Sequence, residues 1–135
     1  LVSSTETVVQ WLAGTDRDSG YEAGGANFAY WAQTPGYFDM AAHVDFTSNA
    51  TGFRHAYFQV TTGVNNPGGA GNTTSFGGVS VNADASTDTH VQISQLSPYL
   101  YVNDYVQVIA YQTSGGNLTL GTGSQWSVTL DSLGP

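Results

Sequence analysis

A chain of 135 residues and 14.2 kDa has the length of one domain, and its 40% hydrophobic content can fill a core, which excludes a disordered segment. Ten acidic residues stand against two basic ones, Arg17 and Arg54, for a net charge of −8. That balance argues against nucleic-acid binding and adhesion to anionic lipid. The absence of Cys removes disulfides, thiolate metal sites and thiol catalysis.

Apolar residues recur at period two along most of the chain, which predicts strands rather than helices. "TETVVQWL" (5–12) reads as a short strand and "GTDRDSGYEAGGAN" (14–27) as a polar loop. "FAYWA" (28–32) is a further short strand, stopped by the turn signal Pro35-Gly36. In "YFDMAAHVDF" (37–46), Phe38, Met40, Ala42, Val44 and Phe46 face one way. Tyr37, Asp39, Ala41, His43 and Asp45 face the other, the pattern of a half-buried strand. After the turn "SNATG" (48–52), "FRHAYFQVTT" (53–62) places Ala56, Phe58 and Val60 inward. "GVNNPGGAGNTTS" (63–75) is a long loop of low complexity. Strands follow at "FGGVSVNA" (76–83), "THVQISQL" (89–96) with Val91, Ile93 and optionally Gln95 in phase, "VNDYVQVIAYQT" (102–113), "NLTLG" (117–121) and "QWSVTLDSL" (125–133). About nine short strands in one domain over residues 1–135 predict an all-β, antiparallel sandwich or jelly roll. No run of 18 apolar residues marks a membrane-inserting helix.

Two strands are apolar on both faces. Residues 53–62 carry Phe53, His55, Tyr57 and Gln59 opposite the inward set. Residues 105–111 carry Tyr105, Gln107, Ile109 and Tyr111 opposite Val106, Val108 and Ala110. Large exposed apolar patches are uncommon on monomers, so this second face predicts an interface. Each such side chain gains about 1.5–3 kcal/mol on full burial. Tyr suits the role because its ring packs while its hydroxyl finds a polar partner.

Neither G-x-S-x-G nor H-E-x-x-H occurs, and the expectation is a non-enzymatic protein. His43 and Asp45 share a strand face at i and i+2 and can pair; a solvated outer face is the plainer reading. Within 14–22, Asp16, Asp18, Ser19 and Glu22 offer hard oxygen donors for calcium, without the full EF-hand spacing. The competing reading is an acidic loop in which Arg17 neutralises its neighbours. Tyr21, Trp31, Tyr99 and Tyr101 are candidates to stack on a sugar ring, each with a packing role as the alternative.

The order of motifs resembles the C1q/TNF-like domain family. "GYF" (36–38) stands where that family has G-x-Y, with Phe38 in place of the tyrosine. "NATGFR" (49–54) matches N-x-x-G-x-R, and "LYVNDYVQV" (100–108) matches L-x-x-G-D-x-V-x-V with Asn103 in place of the glycine. Asn tolerates positive φ best among non-glycine residues, so that turn can persist. "YQTSGGNL" (111–118) and "QWSVTLDSL" close the pattern. The resemblance implies a jelly roll that assembles as a homotrimer. It implies an interface built from the strands carrying Phe53, His55, Tyr57, Tyr105, Gln107, Ile109 and Tyr111. It further implies a structural or binding domain on a virion surface, as a tail-fibre head or a capsid-decorating trimer. Its partners would be other virion proteins or a host-surface glycan or protein. A secreted, extracellular C1q-like or carbohydrate-binding module is the alternative.

Overall fold

Period-two alternation builds eight strands and no helix among the described residues, 1–11, 28–64 and 70–134, of the computed structural model. They are β1 (Thr7–Val8), β2 (Tyr30–Trp31), β3 (Tyr37–Phe46), β4 (Phe53–Thr62), β5 (Asn72–Asn82), β6 (Thr89–Leu96), β7 (Tyr105–Gln112) and β8 (Gln125–Ser132). All pairs are antiparallel. One sheet runs β1-β7-β4-β5 with β2 also on β7, and the other runs β6-β3-β8. The chain changes sheets between β2 and β3, between β3 and β4, between β5 and β6, between β6 and β7, and between β7 and β8. Among the described residues only the β4–β5 hairpin joins paired neighbours, so most pairing is non-local.

The two sheets face each other across one core. Phe38, Met40, Ala42, Val44 and Phe46 of β3 and Val91 and Ile93 of β6 meet Ala56, Phe58 and Val60 of β4 and Val106, Val108 and Ala110 of β7. All are buried. The inward parity expected for these four strands is the parity observed. Trp11 stacks on Trp126 with ring centroids 5.8 Å apart and closes the β8 side of the core.

Two segments depart from the expected strands. Residues 72–75 belong to β5, because Thr73 and Thr74 pair with Thr61 and Val60 of β4 and extend the hairpin. Residues 117–121 form no strand; they make one bridge, Phe46 to Leu120, while Leu118 is buried. A strand needs a ladder, and the neighbouring edge offers this segment only one rung.

Two motifs gain a physical reason. Arg54 is fully buried and folds back over the 48–52 turn. Its guanidinium donates to the carbonyls of Asn49 (3.0 Å), Thr51 (3.0 Å) and Phe53 (3.1 Å). Burial holds its pKa below the usual arginine value. Gly52 sits at φ +77°, and a Cβ there would lie 2.2 Å from the Thr113 carbonyl oxygen. The turn therefore requires glycine where it passes β7. Asn103 adopts φ +76°, a conformation that Asn tolerates better than other non-glycine residues. The adjacent Asp104 is buried, and its carboxylate accepts from the Tyr101 amide at 2.8 Å and the Val64 amide at 3.4 Å. Asp104 thus ties the start of β7 to the loop after β4.

Candidate functional site

The outer face of the larger sheet is a set of cross-strand rows. Tyr105 lies beside Thr61 and Thr73, and Gln107 beside Gln59 and Ser75. Ile109 lies between Val8 and Tyr57, and Tyr111 beside His55 and Ser80. Phe53 pairs with Asn82 and packs its ring 5.8 Å from Tyr111. The seven residues expected at an interface do share this face, but they differ in exposure. Tyr57, Gln107 and Ile109 are buried within the single chain. Tyr105, Tyr111 and His55 are half-buried, and Phe53 is 37% exposed. Trp31 covers Tyr105 with ring centroids 4.4 Å apart, and Ala29 and Val64 complete that small cluster. His55 Nδ1 shares a hydrogen bond with Ser80 Oγ at 2.7 Å. Burial and the neighbouring Glu6 carboxylate push the Tyr57 phenol up to about 12.

Of the other expected contact residues, Trp31 is a packing residue, with 6% of its surface accessible. Tyr99 and Tyr101 meet edge to face at 5.1 Å, and Tyr37 extends the series to Tyr99 at 5.3 Å. Tyr101 is 66% exposed. Tyr21 and the calcium candidates Asp16, Asp18 and Glu22 lie outside the described residues.

The outer face of the smaller sheet has a different chemistry. Ser94, Ala41 and Ser127 form one row across β6, β3 and β8, and Gln92, His43 and Gln125 form the next. The small residues leave a shallow open groove below the amides and the imidazole. At the end of this face Asp45 lies opposite His90. Both imidazoles turn to the same carboxylate oxygen. His43 Nε2 is 2.5 Å from Asp45 Oδ1, and His90 Nδ1 meets the same atom. The two rings stack with centroids 5.3 Å apart. Gln92 Nε2 lies 3.2 Å from His43 Nδ1 and steadies that ring. Asp45 raises the pKa of His90, and Asp88 adds a smaller push in the same direction.

The loop between β7 and β8 anchors the Asp45 backbone and lies against its carboxylate. The Asp45 amide donates to Ser124 Oγ at 3.0 Å, and the Gly121 amide donates to the Asp45 carbonyl at 2.8 Å. A Cβ on Gly123 would lie 2.2 Å from Asp45 Oδ2, so any other residue there must displace the carboxylate or the loop. Asp45 is consequently buried while His43 and His90 keep access to solvent. The i, i+2 pairing of His43 with Asp45 is visible in the strand pattern. His90 comes from a different strand, and only the β3–β6 register brings it in. Two imidazole nitrogens and one carboxylate oxygen lie within 4.8 Å of one another, a set able to bind a proton or a cation. Comparison of the chain with protein-family models and with curated proteins gives no match.

Proposed function

We propose that the chain is a non-enzymatic binding or structural domain that self-associates through the outer face of its larger sheet. The observation that carries this reading is the row of aromatic side chains left partly accessible there: Phe53 and Tyr111, in ring contact, with Tyr105 further along β7. Three copies around an axis would cover these rings and leave no free aromatic face. Gln59, half-buried at the centre of the face, could bond across an axis without adding a charge, while the Glu6 carboxylate meets the Tyr57 phenol on the same face. Tyr57 and Ile109 already pack within one chain, so association draws mainly on Phe53, Tyr105 and Tyr111. The C1q/TNF-like jelly roll is the arrangement that the motif order supports, and the surface of a virion is the setting that the resemblance favours. The exposed Tyr101, held edge to face by Tyr99, favours a glycan as a second ligand class at the sheet end. Size-exclusion chromatography with light scattering tests the assembly. The expected mass is three times the 14.2 kDa chain. A clean monomer at micromolar concentration overturns the reading.

A further inference from the structure

The strongest unassigned chemistry lies on the opposite side of the molecule from that face and is independent of self-association. We infer that His43, Asp45 and His90 form a binding site for one divalent transition-metal ion of the zinc class.

Three features carry the assignment. First, the donors are a mixed set of two imidazole nitrogens and one carboxylate oxygen, within 4.8 Å of one another. Zinc-class ions take such N/O sets, with bonds of about 2.0–2.2 Å. Calcium instead needs six to eight oxygens, and a site with two imidazoles does not supply them. Second, the backbone that carries the carboxylate is anchored before any ion arrives, and the loop between β7 and β8 lies against the carboxylate. The amide of Asp45 is bonded to Ser124, its carbonyl to Gly121, and its Oδ2 lies against Gly123. Two donors on one such ion stand about 3.4 Å apart, so both rings, each of which keeps access to solvent, turn outward from Asp45 Oδ1 while Asp45 stays in place. Third, an outer partner is present. Gln92 reaches His43 Nδ1 at 3.2 Å. Which end of an amide faces a ring is set by the hydrogen-bond network. With the carbonyl end turned in, Gln92 accepts the Nδ1 proton and leaves the Nε2 lone pair for the ion.

The surroundings suit a cation. Asp88 stands beside His90, and the chain carries a net charge of −8. Three protein ligands leave at least one coordination position, and the accessible imidazoles place it towards solvent. Water, or a carboxylate or hydroxyl of a ligand seated in the Ser94–Ala41–Ser127 groove, can fill that position.

Calorimetric titration of the untagged protein with zinc chloride tests the site. One zinc per chain is expected at micromolar zinc. H43Q and H90Q should each weaken binding by more than the roughly 10–100-fold cost of losing an outer-shell partner, and Q92A should fall within that range. H55Q removes the remaining histidine, on the other sheet, and should leave binding unchanged. Calcium should not compete. A second measurement needs no variant: cobalt(II) should shift the ring-proton signals of His43 and His90 but not those of His55. Absence of saturable zinc binding, binding unaffected by H43Q and H90Q, displacement by calcium, or a cobalt shift at His55 alone each overturns the site.

Discussion

The two outer faces of the sandwich are built by the same alternation and end in opposite chemistry. On the larger sheet, the outward positions of β4 and β7 are aromatic, aliphatic or amide-bearing apart from the buried Thr61, and three of the seven expected interface residues are buried within one chain. On the smaller sheet, the outward positions of β3 and β6 are small or polar apart from Tyr37 and the exposed Leu96, and Asp45 is the buried one. Burial on the first face comes from packing, because Ile109 sits between Val8 and Tyr57 and Trp31 covers Tyr105. Burial on the second comes from a loop that closes over a carboxylate. An outward side chain is therefore not equivalent to a solvated one, and the reason for its burial decides what it can do.

Substitutions can break that contrast in order of expected size. Ile109→Ala should cost about 2–5 kcal/mol of chain stability, as a core truncation does, despite its place on the outer face. Urea unfolding at a concentration where assembly is absent measures it, and a cost near zero would mean that Ile109 is packed only between chains. Gly123→Ala should cost about 1–3 kcal/mol, because the added methyl must displace the Asp45 carboxylate or the loop. Thermal unfolding reads this directly, with Gly116→Ala as the control, since a Cβ there meets nothing within 4 Å.

Tyr111→Ser separates the two kinds of burial. It should change chain stability by less than about 1 kcal/mol while lowering the mass measured by light scattering. An unchanged mass would move the interface elsewhere. The smallest effect is electrostatic. Tyr57 holds its proton to about pH 12 in the folded chain, against an ordinary value of 10.0. The folded state thus binds a proton that the unfolded chain releases first. The resulting stability is complete below pH 10 and is lost as pH rises through about 12. Ultraviolet titration of the tyrosines should show one late-ionising phenol that disappears in Tyr57→Phe.

Much of this fold is legible from side-chain parity. Phe38, Met40, Ala42, Val44 and Phe46 could be assigned to a core because a strand sends every second residue to one side. Asn103 could be expected at positive φ only through the motif resemblance, in which it stands for a glycine. The β5 start at Asn72 was hidden because the Thr-rich end of the hairpin reads as part of a Gly/Asn-rich loop. His43 and Asp45 could be seen as a pair, but a solvated pair was the plainer reading, and His90 lies 45 residues beyond Asp45.

By itself the sequence determined the strand class, the inward faces of β3, β4, β6 and β7, and the acidic, cysteine-free chemistry. These follow from local properties: period, residue type and charge. Tertiary structure alone decided which outward residues are covered, and it alone joined His90 to Asp45 and laid Gly123 against the carboxylate. Register and sheet order are set by contacts between residues far apart in the chain, and no local pattern encodes the distance between them.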